Sequence, residues 1–140
     1  MKVLFFCAVV GPLGCSAPES LPGPRPQPVK GKVMYGGKPA EGFCVAFHAV
    51  EHWQGAQFAP AATTDANGEY QLKSYAENDG APVGDYTVTF TWPREVPGLD
   101  PDDAPEIVDQ LHGAYSNPHR SKFTATVVEG ENVLEPFVLK

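Results

Sequence analysis

Charge is scarce in this chain. Only 19% of its 140 residues are Asp, Glu, Lys or Arg, too few for a coiled coil or a fully disordered chain. Bases are scarcer than acids, 10 Lys and Arg against 17 Asp and Glu, for a net charge of -7. That sign excludes the electrostatic footprint of a nucleic-acid binder. No apolar run reaches the roughly 18–20 residues of a membrane-spanning helix. Cysteine is rare as well, with three in the chain. Glycine and proline, by contrast, are plentiful at 14 and 15 residues. Together with 11% aromatics, they favour many short strands joined by tight turns within one domain.

The amino terminus reads as an address. Met1-Lys2 supplies a positive charge, Val3 to Val10 (VLFFCAVV) an apolar stretch, and Gly11-Pro12 a break. A short positive, apolar and small-residue pattern of this kind marks export, so residues 1–14 are expected to form a signal peptide. Pro12-Leu13-Gly14-Cys15 resembles a bacterial lipoprotein lipobox. The resemblance implies cleavage after Gly14, diacylation of Cys15 and a membrane anchor. Pro12 stands where such a motif usually has Leu. Two or more acyl chains hold a protein stably at a bilayer where one does not. Ser16 after the Cys implies, by the same resemblance, freedom to reach an outer membrane.

Cysteine arithmetic follows from this. Cys7 leaves with the signal, Cys15 carries lipid, and Cys44 stands alone. An internal disulfide framework is thereby excluded. Ser16 to Pro28 (SAPESLPGPRPQP) holds five prolines. Proline lacks a donor and fixes φ, so residues 15–28 are expected to be an extended tether, about 40 Å long at the polyproline rise of about 3.1 Å per residue.

From Val29 onward the hydrophobic period is two. Val29, Gly31, Val33 and Tyr35 alternate with Lys30, Lys32 and Met34, the pattern of a half-buried strand. Phe43, Val45 and Phe47 repeat it, with Cys44, Ala46 and His48 on the other face. Tyr70 and Leu72 form an inward pair, followed by Tyr86, Val88 and Phe90, then Phe123, Ala125 and Val127. Asn67-Gly68 predicts a tight turn between strands. Pro136 predicts an edge or bulge in the last strand. One stretch breaks the rhythm: 95–113 carries six acids and no Lys or Arg. There Pro105 to Leu111 has the marks of a short helix, with proline in its first turn and Gly113 to stop it, inside an acidic surface excursion.

Four motifs in order resemble transthyretin-like, carboxypeptidase-regulatory-like domains of the small planctomycete-type lipoproteins. They are Val29-Lys-Gly-Lys-Val33 with Gly37-Lys-Pro39 and Val45-Ala-Phe47; Thr64-Asp65-Ala-Asn-Gly68-Glu-Tyr70; Asp79-Gly80-Ala-Pro-Val-Gly84-Asp-Tyr86-Thr-Val88; and Tyr115 and Ser121 with Val127-Val-Glu-Gly130-Glu-Asn132 and Leu139. The resemblance spans 29–140. It implies an all-β, seven-stranded prealbumin-like Greek-key sandwich, with the helix or acidic loop inserted before the last two strands. It implies no activity, since fold does not fix function.

Enzymatic relatives leave no trace. Hydroxyisourate hydrolases share the sandwich but end in Tyr-Arg-Gly-Ser, whereas this chain ends Pro136-Phe-Val-Leu-Lys140. Carboxypeptidases keep catalysis in a separate domain. Asp65-x-Asn67-Gly68 starts like a calcium loop, but Ala76 occupies the twelfth position, where a carboxylate is required. Cys44 reads as an inert thiol. Lys32 and Asn132, in the first and last strands, are the pair that an internal isopeptide bond would join. The remaining candidates are weak: Trp53 and Trp92, with Asp100, Asp102 and Asp103, for a ligand, and His48 with His52 for a metal. The expectation is therefore a non-enzymatic, exported module without cofactor, lipid-anchored on the periplasmic or cell-surface side and meeting an envelope protein or glycan. The alternative is a small-ligand or cation binder using the acidic loop 95–109 or His48/His52.

Overall fold

The computed structural model describes residues 21–51 and 58–140. The expected signal peptide, Cys15, His52 and Trp53 lie outside the described residues. Thirteen short strands follow in chain order: β1 (Pro26–Gln27), β2 (Val29–Tyr35), β3 (Lys38–Pro39), β4 (Cys44–Ala49), β5 (Ala61–Thr63), β6 (Glu69–Gln71), β7 (Ala81–Pro82), β8 (Gly84–Thr91), β9 (Pro93–Val96), β10 (Glu106–Asp109), β11 (Phe123–Val127), β12 (Asn132–Val133) and β13 (Phe137–Leu139). The fold is all-β, with no helix among the described residues.

Two sheets carry the body. One is the antiparallel order β11-β8-β4-β5. The other is built on β2, which pairs antiparallel with β6 and β3 and parallel with β12 and β13. The alternation in the sequence is the burial pattern in space. Val29, Val33, Phe43, Val45, Phe47, Tyr70, Leu72, Tyr86, Val88, Phe90, Val127 and Leu139 are all buried in one core. Phe123 and Ala125 pack against it but stay half-exposed, because β11 is an edge strand. Phe137 binds the layers together: its ring meets those of Phe47, Phe90 and Phe123 edge-on and lies stacked near Tyr70. Edge-to-face and offset geometries are the ones the ring quadrupole favours.

The turn at Asn67-Gly68 forms where expected, held by Asp65, whose Oδ1 accepts from the amides of Asn67 (2.9 Å) and Glu69 (3.0 Å). Its two strands then part company: β5 joins β4 in one sheet and β6 joins β2 in the other. The turn is thus a corner between layers. Thr64, buried there, closes it with its hydroxyl accepting from the Phe43 amide at 2.9 Å. A second corner is pinned by Tyr86, whose hydroxyl donates to the carbonyl of Pro82.

Three expectations are corrected. The helix predicted over Pro105 to Leu111 is a strand in its first half: β10 pairs with β9, Ile107 opposite Glu95 and Val108 opposite Arg94. Local propensity lost to the backbone partners that β9 offers. The last strand is split by Leu134–Pro136 into β12 and β13, both parallel to β2. Third, Asn132 lies opposite Val29, and Lys32 lies opposite Glu69. The Asn132 amide nitrogen donates to the carbonyls of Pro28, Val128 and Gly130, so the isopeptide pairing has no basis.

Within the stretch expected to be a free spacer, residues 24–27 lie on the domain. Pro26–Gln27 pairs with Ala81–Pro82, the Tyr75 hydroxyl donates to the Pro24 carbonyl at 2.9 Å, and Gln27 Oε1 accepts from the Gly130 amide at 3.0 Å. Gly80, at φ +98°, lies under this strap: a Cβ there would collide with the Gln27 carbonyl.

Gly31 is a glycine for reasons of space. It faces Tyr70 across the β2–β6 ladder, and the Tyr70 ring folds over it, so that an added Cβ would come within 2.7 Å of Tyr70 Cζ. Tyr70 is 2% exposed, and its hydroxyl has no hydrogen-bond partner; burial pushes that phenol far above its usual pKa. Gly31→Ala is therefore expected to lose about 1–3 kcal/mol in urea unfolding, the range for overpacking. Tyr70→Phe should raise the midpoint, because deleting an unpaired buried hydroxyl removes a desolvation cost of about 1–3 kcal/mol. A fall in the Tyr70→Phe midpoint would refute the packing account.

Candidate functional site

A concavity runs along β2, β5 and β6, lined in part by the β2 residues that the core does not use. Because Val29, Gly31 and Val33 turn inward, Lys30 and Lys32 turn outward. Lys30 sits opposite Gln71 and Lys32 opposite Glu69. Beside them Cys44 lies opposite Thr63, and Val133 lies opposite Lys30 on the other flank. With Asp65, Lys73 and Glu77 these residues line an open groove of about 860 Å³. Its lining holds three lysines and three carboxylates. Lys73 and Glu77 pair at 3.0 Å, both well exposed, a contact of little energetic weight in water. The groove presents hydrogen-bond donors and acceptors of both signs along sheet backbones, which suits an extended polar partner.

The residues singled out from sequence fall elsewhere. Trp92 is half-buried: its ring stacks on Phe43 (centroids 5.1 Å apart) and meets Tyr35 edge-on at 5.9 Å. It closes one end of the core rather than offering a free platform. Trp53, its supposed companion, lies outside the described residues. Asp100, Asp102 and Asp103 are exposed on the link between β9 and β10. Asp103 is occupied by the turn: its Oδ2 accepts from the Asp100 amide at 3.2 Å, and its amide donates to the Asp100 carbonyl at 3.0 Å. His48 Nε2 bonds Thr89 Oγ1 at 2.8 Å, and its supposed partner His52 lies outside the described residues. Among the described residues there is no group of three or more His, Cys, Asp or Glu placed to hold a metal ion. Cys44 is half-buried and free.

An acid the sequence did not single out does the most structural work in the ribbon. Asp109 ends β10, and its carboxylate accepts from three amides: Trp92 at 2.8 Å, Leu111 at 2.9 Å and Gly113 at 3.0 Å. Partial burial pushes its pKa up, but these amides and the nearby His112 outweigh that and hold it below the usual value. No spacing rule marks Asp109 among six acids, because two of its three partners are local and the third, Trp92, is seventeen residues away. The groove residues were legible only as the polar face of a strand; the groove also takes residues from β5, β6 and the turn at Asp65.

Comparisons with known proteins add little. No family model matches the chain, and no curated protein sequence matches it. Among solved structures it is similar to a 9R-lipoxygenase from Cyanothece PCC8801, at 13% identity and a TM-score of 0.49. The likeness covers 82% of this chain and 16% of that one, so the chain spans a small part of the lipoxygenase. A likeness at this level says nothing about chemistry.

Two titrations give testable behaviour. Burial holds the His48 pKa below its ordinary 6.5. The unfolded chain therefore takes up the proton first, and stability should be level above about pH 6.5 and fall as pH drops towards the folded value. Thermal melts between pH 8 and pH 5 should show a steeper loss for the wild type than for His48→Gln; identical slopes would contradict the burial argument. The lowered pKa of Asp109 gives stability that is present above the ordinary carboxylate range and lost as pH falls through its folded value. Asp109→Ala should therefore lower the amide-exchange protection factors at Trp92 and Gly113 at neutral pH, and wild type at low pH should approach the same protection factors.

Proposed function

We propose that this chain is a lipid-anchored, non-catalytic module of the cell envelope that recognises a protein or glycan through the groove on β2, β5 and β6. The observation that carries the reading is that groove: wide, open, and lined by Lys30, Lys32, Lys73, Asp65, Glu69 and Glu77. Its volume lies in the range of ligand sites, while its openness and mixed charge suit a polymer more than an enclosed metabolite. The anchor rests on the lipobox-like Pro12-Leu13-Gly14-Cys15. The seven-stranded prealbumin-like Greek key belongs to the same reading. It is supported by four strands in one sheet (β4, β5, β8, β11) against three in the other (β2, β6, β13), the remaining six being two-residue strands and the separate β9–β10 ribbon.

The cation-binding alternative has less behind it, since Asp103 is engaged in its turn and His48 in its bond to Thr89. Two measurements test the proposal. Intact mass of the membrane-extracted protein is expected to show a mature chain that begins at an acylated Cys15. Binding to envelope glycans or cross-linked envelope protein should drop at least tenfold in Lys30→Glu/Lys32→Glu, with unchanged melting. An unmodified Cys15 would remove the anchor. Binding indifferent to the charge reversal would remove the groove, and stabilisation by calcium or zinc alone would favour the alternative.

A further inference from the structure

Both long strands of the body start at the same pole. β2 begins at Val29, directly after the strap, and ends at Tyr35; β8 begins at Gly84, directly after the strap's partner β7, and ends at Thr91. Their far ends meet, since Tyr35 touches Trp92. The molecule therefore has a near pole, where the strap Pro24–Gln27 is clamped, and a far pole, where Trp92 leads into the β9–β10 ribbon. From Gly84 to Val96 the chain covers 13 residues, about 40 Å at about 3.3 Å per residue of strand. The ribbon ends in residues 97–105, which include the fully exposed Leu99.

The near pole has a feature that the rest of the sandwich does not require. β11, β8 and β4 are neighbours in one sheet, with Val127 opposite Gly84 and Ala49 opposite Tyr86. Each of the three strand ends there carries an exposed valine: Val128 (55% exposed), Val83 (54%) and Val50 (64%). That register carries Val128 next to Val83, about 4.8 Å away across the strands, while Val50, whose amide donates to the Asp85 carbonyl at 3.0 Å, lies beside Asp85, two residues further along β8. Asp85 lies among them, its carboxylate accepting from Thr126 Oγ1 at 2.7 Å, and Glu51 and Glu129 directly follow Val50 and Val128 in the chain. Apolar side chains with carboxylates beside them suit a neutral lipid headgroup surface and oppose an anionic one.

We infer that the strap orients the domain on its membrane, with these valines apposed to a zwitterionic lipid surface and the β9–β10 ribbon directed away from it. The inference rests on the lipid-anchor reading above. Its geometric warrant is independent of that reading: Tyr75 holds Pro24, Gln27 pairs with Ala81, and Gln27 Oε1 holds Gly130. Only residues 16–23 then separate the clamp from Cys15, and eight residues reach at most about 28 Å. A free spacer through Pro28 would let either pole face the lipid; a strap clamped at Pro24 does not.

The test uses the full-length acylated protein in phosphatidylcholine vesicles containing a lipid-linked energy acceptor. A donor dye is attached through Val128→Cys or Leu99→Cys in a Cys44→Ser background. The expected result is transfer at least twofold more efficient from position 128 than from position 99. Tyr75→Phe, which frees Pro24 but keeps the aromatic ring, should narrow that ratio, and phosphatidylglycerol vesicles should lower transfer from position 128. Equal or reversed transfer on protein whose mass confirms acylated Cys15 would overturn the orientation and leave the anchor standing. A ratio unaffected by Tyr75→Phe would overturn the role of the strap. Absence of acylation would overturn anchor and orientation together.

Discussion

The hydrogen-bonding capacity of β2 is the constraint on which the structure depends. One seven-residue strand serves four short partners: β6 and β3 on one edge, β12 and β13 on the other. A strand with both edges occupied and one face in the core has its register fixed, because a slip of one residue would exchange Val29 and Val33 for Lys30 and Lys32. Every feature with functional weight refers to that register. It turns the lysines outward, sets Gly31 under Tyr70, and starts β2 where the strap ends.

The short strands are held by side chains acting as backbone. Asp65, Asp79, Asp109 and Asn132 each bind several main-chain groups at a turn; Asp79, for example, accepts from the amides of Ser74, Tyr75 and Ala76. Buried or half-buried main-chain groups need partners, and in a chain with so many turns ladders alone do not supply them. Much of the acid excess is therefore structural. It caps turns, and the acids that remain exposed give the surface its negative character.

Two kinds of surface result. The face on β2, β5 and β6 is concave and mixed in charge. The ends of β11, β8 and β4 carry valines among carboxylates. The β9–β10 ribbon stands apart from both, its strands mostly exposed and its root tied by Asp109 to Trp92. A two-stranded ribbon is marginal alone, and this one keeps its register because the body holds its root.

Period-two alternation made the strands and their inward residues legible from sequence: Val33, Val45, Phe47, Leu72 and Phe90 are all fully buried. Burial of alternate residues is a local property of an extended chain, so no knowledge of partners was needed. The same logic marked the turn at Asn67-Gly68. It failed over Pro105 to Leu111, where helix signals are local but the competing strand partner, Pro93–Val96, is not. It also failed for the strap, because proline's lack of a donor argues against a central strand and is silent about a two-residue edge pair. Which sheet each strand joins, that the polar face of β2 borders a groove, and that residues 24–27 lie on the domain were decided by contacts between residues tens of positions apart. Such contacts leave no periodic mark on the chain; they exist only once both partners are in place.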